Sequence, residues 1–293
     1  MSIELVLPTV IAVAFGTVAG LVRWPGRPAV VMRLLAGIAG VTAVTVLLVL
    51  AVGAVGLLAR SALVMSLIDW CPVVPLHHDV GYLEGGLALA ATVLGLVRMV
   101  RVVRRRRRAA GGMHGRRLSV LDTAEPIAYA APGRPGCVVV SRGMLDALGP
   151  RERQVVFAHE RAHLCHHHHR YLLVGELAVA VLPVLRPLAD QLQLATERGA
   201  DESAVRVMGG DRLLVARTIA RAAITSSSYH GLVGAFGGGS VPARVQALIG
   251  PASSPARARV GLLAGGAMAA VALAAGSLQL HHVARLAGHL CHL

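Results

Sequence analysis

The sequence contains no lysine, so arginine supplies all 29 of its basic residues, against 15 acidic residues. A net charge of +14 and a pI of about 11.3 would suggest nucleic-acid binding in a soluble protein. However, 55% of the residues are hydrophobic and only 3% are aromatic, a balance typical of membrane proteins. Much of the excess arginine also lies beside apolar runs. The composition therefore favours the lipid bilayer as a partner, and we expect no direct nucleic-acid binding.

Four apolar segments approach the roughly 20 residues that a helix needs to cross a bilayer. The first lacks the basic residues that precede the apolar core of a secretory signal, so we expect it to stay as a span. The sequence thus predicts a mostly α-helical membrane protein with four transmembrane helices, at about 5–22, 34–59, 82–97 and 260–280.

Arginines cluster beside three of these spans, and cytoplasmic loops near membrane spans collect positive charge. The clusters lie between the first and second spans, after the third, and before the fourth. We therefore expect a multi-pass protein of a bacterial inner membrane with external N- and C-termini. The residues that carry this orientation are Arg23, Arg27, Arg33, Arg98, Arg101, Arg104 to Arg108, Arg116, Arg117, Arg257 and Arg259.

The pattern His-Glu-x-x-His occurs once, at His159, Glu160 and His163. On a helix, residues four apart share one face, so the two histidines can bind one zinc ion. Glu160 then lies beside the metal, where it can act as general base for water and later protonate the leaving amine. Pro150 and Glu152 suit the first turn of this helix. The sequence therefore predicts a zinc-dependent metalloendopeptidase.

A catalytic zinc site has three protein ligands, and two residues compete for the third position. Glu197 follows His163 on a second predicted helix and shares a face with Asp201, which can orient a zinc-bound histidine. The alternative, His169, occupies the third-histidine position of the metzincin pattern. That pattern requires a glycine where this chain has His166, so we favour Glu197. The run from His166 to His169 is then predicted to be a solvated extension of the metal helix.

Composition divides the chain into three parts: a membrane domain with a basic juxtamembrane loop at 1–117, a protease domain at 118–254, and the fourth span with a short external tail at 255–293. Within the protease domain, residues 126–131 and 137–141 are predicted strands separated by a turn-rich loop. Ala128, Tyr129 and Ala130 are a candidate edge strand for an extended peptide substrate. The alternative is a purely structural hairpin.

The apolar segment Tyr171 to Leu185 resembles a fifth span by hydropathy alone. A crossing there would place His159 and Glu197 on opposite sides of a hydrocarbon layer about 30 Å thick, so they could not share a metal. Glu176 would also be costly at that depth. We therefore predict a buried or membrane-skimming helix that breaks near Pro183.

Four cysteines are present, two on each predicted side of the membrane. Cys137 and Cys165 should be free thiols in the reducing cytoplasm. Cys71 and Cys291 fall outside, where disulfides persist, so they are a candidate disulfide, or a metal clamp together with nearby histidines. The alternative is two independent external thiols.

The order of these features resembles the BlaR/MecR-type membrane metallopeptidases, which act as antirepressor signal transducers. The resemblance rests on three spans, a basic loop, a strand pair, the motif at His159, the Glu197-x-x-x-Asp201 motif and a fourth span. It implies a cytoplasmic α+β gluzincin domain with His159, His163 and Glu197 as ligands of one Zn²⁺ and Glu160 as base. It also implies a transcriptional repressor, or the protease itself, as substrate.

One departure concerns the sensor. The antibiotic-sensing members carry a penicillin-binding domain after the fourth span, where this chain has about a dozen residues beyond Leu280.

Two other functions fit parts of the sequence. One is an HtpX-like protease for membrane-protein quality control, and the other is a non-catalytic membrane metal sensor or scaffold. The presence of Glu160 favours an enzyme.

Overall fold

The computed structural model describes residues 3–58, 81–110, 117–230 and 240–250, together with 263, 265–267, 270, 274 and 277. It is mostly helical, with one small sheet. In chain order the elements are α1 (Ile3–Leu21), α2 (Pro28–Leu58), α3 (Tyr82–Ala110), β1 (Leu118–Leu121), β2 (Ala128–Ala131), β3 (Cys137–Ser141), α4 (Arg142–Ala147), α5 (Pro150–Cys165), α6 (His168–Val181), a 3-10 turn (Pro183–Leu185), α7 (Arg186–Val207), α8 (Arg212–His230) and α9 (Val241–Ile249).

Two helices among the described residues are long and apolar enough to cross a membrane, Pro28–Leu58 and Tyr82–Arg108, whereas the apolar part of α1, Val6–Leu21, is shorter. The first three predicted spans therefore coincide with α1, α2 and α3. The predicted fourth span lies mostly outside the described residues, although the few positions described there are helical.

The basic segment after the third predicted span is helical rather than a loop. Helix α3 continues without a break through the arginine run to Ala110. Arginine is a good helix former, and basic side chains in the last turn complement the helix dipole. The arginines are thus held at fixed positions along one rigid rod.

Helices α6 and α7 form a hairpin that packs against α1 and α2. The apolar core of this junction includes Leu35 and Ile38 from α2 and Leu188 and Leu192 from α7, all fully buried. Gly20 of α1 allows the close approach, because a Cβ at this position would collide with the backbone of Leu188.

The chain turns back between α6 and α7, as predicted. Helix α6 ends at Val181 and the 3-10 turn begins at Pro183, so the apolar segment is not one continuous helix of the length that a membrane span needs. Helix α7 then runs back alongside α6. This return brings the two predicted metal helices, α5 and α7, into contact.

The sheet has three strands in the order β1-β3-β2, with β1 parallel and β2 antiparallel to the central β3. Strand β3 is buried at every position, as its unbroken apolar sequence requires. Sequence patterns predicted β2 and β3 but not β1, which is only four residues long. Because β2 lies at an edge of this sheet, one of its sides is available to other groups.

Two of the four cysteines, Cys137 and Cys165, lie among the described residues. Cys137 is buried and Cys165 exposed, and both are free thiols, as expected. Cys71 and Cys291 lie outside the described residues. The proposed external bridge therefore stays a prediction.

Candidate metal centre

Helix α5 begins at the residues that the sequence predicted. Pro150 occupies the first turn, and the Glu152 carboxylate accepts a hydrogen bond from the Gly149 N–H at 2.8 Å. Both features satisfy a helix N-terminus that would otherwise leave backbone donors unpaired. From this start, the helical repeat directs His159 and His163 to the same side, toward α7.

Three side chains meet between α5 and α7. The Nε2 atoms of His159 and His163 lie 3.2 Å apart. Glu197 contributes Oε2 at 3.4 Å from the His159 Nε2 and Oε1 at 3.7 Å from the His163 Nε2. The structure thus brings the three predicted ligands together, and their donor atoms all lie within 4.8 Å of one another.

This donor set fits a zinc ion. Two imidazole nitrogens and one carboxylate are the ligand types that catalytic zinc sites use, with the fourth position left open. His159 is only 5% exposed. Burial lowers the pKa of His163 to about 3, so this imidazole is neutral and able to offer a lone pair. Three lone-pair-bearing atoms that converge in a buried site cost free energy unless a positive group satisfies them. A bound cation would supply that positive charge.

Asp201 supports His159 from behind. Its Oδ1 lies 3.0 Å from the His159 Nδ1, on the ring side opposite the donor cluster. This contact selects the tautomer that carries hydrogen on Nδ1 and leaves Nε2 free for a metal. Burial alone would lower the pKa of His159, but the hydrogen bonds to Asp201 and Glu197 outweigh it and raise the pKa to about 10. A metal that bound here would displace the proton on Nε2, while Asp201 kept the hydrogen on Nδ1.

Arg244 holds both carboxylates in place. This arginine, from α9, is 1% exposed and donates from Nε and Nη2 to the two Asp201 oxygens, at 2.9 and 2.6 Å. Its Nη1 lies 3.1 Å from the Glu197 Oε2 as an ion pair, but without hydrogen-bond geometry. Although burial opposes ionisation, Arg244 and His159 keep the pKa of Asp201 below its usual range. The pKa of Glu197 is depressed in the same way, with His159 as the leading partner.

His168 supports the other histidine. Its Nδ1 lies 3.1 Å from the His163 Nδ1, and its side chain is 2% exposed. Burial lowers the pKa of His168 to about 4, so the neutral ring can accept the hydrogen of the His163 Nδ1. Each predicted histidine ligand therefore has a buried partner on its second ring nitrogen.

The prediction of a solvated helical extension from His166 to His169 was wrong as to the helix and as to His168, which is buried, although His166 and His167 are exposed as expected. Helix α5 ends at Cys165, and His167 adopts a left-handed conformation with φ 52° before α6 begins. This residue turns the chain, so that His168 points inward rather than along a continued helix. The pattern of four consecutive histidines carries no sign of such a turn.

Glu160 occupies the position expected of a general base. It is 5% exposed and lies with the two histidines in a cleft of about 210 Å³. Burial raises the pKa of Glu160 to about 7, against the opposing influence of His159 and of a backbone hydrogen bond from Ala130. A carboxyl group with this pKa can both accept and release a proton near neutral pH.

His169, the alternative third ligand, borders the same cleft but is not in the donor group found among the described residues. Its backbone carbonyl accepts a hydrogen bond from the Arg106 Nη1 at 3.4 Å. Its Nδ1 is buried and has no hydrogen-bond partner among those residues. The geometry therefore favours Glu197 over His169 as the third ligand.

Strand β2 forms one wall of the cleft, through Ala128, Tyr129 and Ala130. Ser141 donates its N–H to the carbonyl of Ile127, the residue just before β2, at 2.8 Å. In an antiparallel pair, every second residue forms hydrogen bonds with its partner strand, and the residues between them direct their N–H and C=O groups to the other side. Ala128 and Ala130 are such residues, so their backbone groups face away from β3, and Ala130 contacts Glu160.

Sequence reasoning did not find Arg244 or His168. Arg244 did carry a signal, because Val241, Val245 and Leu248 share its helical face and pack into the apolar core. A charged residue on the apolar face of a short helix indicates a buried partner. Nothing in the sequence identified Asp201 as that partner.

Replacing Asp201 with Asn should weaken zinc binding by roughly 10–100-fold, because Asn leaves Arg244 without its full counter-charge and holds the His159 tautomer less firmly. Competition with a chromogenic zinc chelator measures the affinity. Asp190→Asn is the matched control, since this exposed carboxylate lies on the same helix far from the donor group. Equal zinc affinities for the two variants would show that Asp201 does not support the site.

Residues 98–226 match the model of peptidase family M48. The matched segment begins in the basic half of α3 and includes both predicted metal helices, while Arg244 lies beyond it. No curated protein and no solved structure shows significant similarity to the chain. This part of the chain is therefore similar to the M48 metallopeptidases, and two of the described helices are candidates for crossing a membrane. The similarity is coarser than the predicted BlaR/MecR type.

Proposed function

We propose that this M48-type domain is the catalytic part of a membrane-embedded zinc endopeptidase that acts on proteins at the cytoplasmic face. The observation that carries the proposal is the convergence of His159, His163 and Glu197 donor atoms beside Glu160 in one cleft. A structural metal site would have four protein ligands and no adjacent base.

Zinc bound there would polarise the scissile carbonyl and lower the pKa of water. The residues of the chain supply the rest of the chemistry. Glu160 removes a proton from the attacking water and returns it to the departing amine, which its pKa near neutrality allows. Asp201 and His168 hold the two imidazoles in the required tautomer, and Arg244 keeps Asp201 and Glu197 ionised.

The substrate is proposed to be an extended peptide segment added to the edge of β2. The outward-facing N–H and carbonyl of Ala128 and the outward-facing carbonyl of Ala130 can pair with such a segment, whereas the Ala130 N–H donates to Glu160. Because Ala130 also contacts Glu160, this placement brings a bound backbone close to the base. Pairing with an edge strand depends on backbone hydrogen bonds rather than on particular side chains. It therefore suits a protease whose specificity depends on which proteins can reach the active site.

A regulatory role is our preferred role, with a cytoplasmic repressor-like protein, or the protease itself, as substrate. It rests on the resemblance to the antirepressor peptidases. The test compares full-length proteomes of cells that contain wild-type protein or Glu160→Gln. Accumulation of one intact repressor-like protein supports regulation, whereas accumulation of many damaged membrane proteins would instead indicate quality control. No difference between the proteomes would favour the non-catalytic sensor or scaffold.

The active site is proposed to face the cytoplasm, with both termini outside. A reporter fused after Arg117 or after Ser254 should behave as cytoplasmic, and one fused after Leu293 as external. The physical reason is the arginine bias of the loops that flank the spans. Paired phosphatase and fluorescent-protein fusions measure each position. An external reporter after Arg117 would place the protease outside the cell and refute the orientation.

A further inference from the structure

A second cavity, of about 580 Å³, lies between α3 and the α6–α7 hairpin. Its charged lining is Arg98, Arg101, Arg105, Arg106, Arg186, Glu176 and Asp190. Five arginines against two carboxylates give this lining a net charge of +3. Apolar side chains, including Val102, Leu172 and Val179, complete the wall.

The two carboxylates do not neutralise this cavity. Glu176 is shared by Arg106, at 2.8 Å, and Arg105, at 3.6 Å. Asp190 pairs with Arg186 at 3.5 Å. Within the part of the chain that the structure describes, no carboxylate pairs with Arg98 or Arg101. These two guanidinium groups supply two of the three excess positive charges, and the third arises because Arg105 and Arg106 share one carboxylate.

The cavity begins where the apolar half of α3 ends. Val97 is the last residue of the predicted span and Arg98 is the first arginine of the lining. One turn earlier, Gly95 packs against the end of α6. A Cβ atom at this glycine would lie 3.9 Å from the Val181 Cα. Leu96, Val97 and Val100 are exposed beside the arginines. A basic cavity thus adjoins an exposed apolar surface at the end of the predicted third span.

We propose that this cavity binds the phosphate group of an anionic phospholipid. Guanidinium groups match phosphate oxygens in geometry and charge, and basic cavities between helices on the cytoplasmic side bind such headgroups. Arg98, Arg101 and Arg105 recur at helical spacing along one face of α3, so they can contact the same headgroup. The exposed apolar residues beside them would receive the acyl chains, which a free phosphate ion does not have.

The site adjoins the catalytic cleft. Arg106 lines both cavities, and it links Glu176 to the backbone of His169 through its Nε and Nη1. A phosphate that attracted Arg105 and Arg106 would compete with Glu176 for them. The bound lipid would therefore act on Arg106, which also lines the catalytic cleft.

The first experiment uses the full-length protein in neutral detergent and titrates dioleoyl-phosphatidylglycerol against dioleoyl-phosphatidylcholine, with native mass spectrometry as the readout. We expect one phosphatidylglycerol to bind about tenfold or more tightly than phosphatidylcholine, because only the former carries a net negative charge. Equal binding of the two lipids would overturn the proposal. Displacement of the lipid by millimolar inorganic phosphate would show that the cavity binds free phosphate, and it would overturn the proposal that the ligand is a phospholipid.

The second experiment compares two charge-matched double variants. Arg98→Gln with Arg101→Gln removes the unpaired charges of the cavity, whereas Arg107→Gln with Arg108→Gln removes two exposed arginines of the same helix that do not line it. The first pair should weaken phosphatidylglycerol binding by about tenfold or more and the second by less than about twofold. Equal losses would show general charge attraction and no site.

Arg186→Gln provides an independent variant on α7, with its side chain 74% exposed, if the α3 pair does not fold. It should also weaken phosphatidylglycerol binding, and unchanged binding would argue against the cavity. Thermal unfolding in detergent monitors folding of every variant. Because all readouts are lipid binding, a negative result here is separate from a failure of the proposed peptidase activity.

Discussion

Replacing Glu160 with Gln is expected to leave zinc bound while lowering peptide hydrolysis by about 10²–10⁴-fold, the usual contribution of a positioned general base. Gln keeps the shape of the side chain but cannot accept the proton of the attacking water. Glu160 is not in the group of three converging donor atoms, so its loss should not empty the site. Metal analysis of the purified variant and a peptide-cleavage assay measure the two effects separately.

The matched control for this variant is Glu202→Gln. Glu202 lies on α7 and pairs with Arg212 at 2.7 Å, away from the donor group. This substitution should leave both zinc content and hydrolysis close to wild type. Hydrolysis by Glu160→Gln within about tenfold of wild type would refute the role of Glu160 as base. Loss of zinc from Glu160→Gln would instead indicate that Glu160 is a ligand.

Removing the Glu197 carboxylate is expected to reduce zinc affinity by more than about 100-fold, since a ligand contributes more than the residues that orient it. Its two oxygens lie 3.4 and 3.7 Å from the two histidine nitrogens, so Glu197→Ala leaves a site with only two protein ligands. Hydrolysis should disappear together with the metal. Zinc affinity, again by chelator competition, is the deciding measurement.

His169→Ala is the comparison that separates the two candidate third ligands. Its side chain borders the cleft but stands outside the donor group, so zinc should stay bound. The opposite pattern, with zinc lost from His169→Ala and kept by Glu197→Ala, would indicate a metzincin-like site. Some loss of hydrolysis with zinc retained is compatible with the position of His169 in the cleft.

Local regularities made much of the site predictable from the sequence. The i, i+4 spacing of His159 and His163 places both on one helix face whatever the rest of the chain does. The same spacing joins Glu197 to Asp201. The break near Pro183 follows from the missing N–H and fixed φ of proline. The inference that both metal helices lie on the same side came from the requirement that His159 and Glu197 share one metal.

The residues that support the ligands could be identified only from the folded structure. His168 is buried because His167 takes a left-handed conformation, and four equivalent histidines in the sequence give no indication of where such a turn occurs. Arg244 reaches Asp201 because α9 packs on α7 and α8, contacts that join positions 43 residues apart.

The basic cavity shows the same division between local and long-range information. A run of arginines next to a predicted membrane span is recognisable from the sequence, since charge and hydropathy belong to individual residues. Nothing in the sequence indicated that α6 and α7 fold back against that run, so that Arg98 and Arg101 line a cavity beside the hairpin. This arrangement depends on how the hairpin docks on α1 and α2, where Gly20 permits close backbone contact. Docking of this kind sums many distant contacts, and no short pattern in the sequence records it.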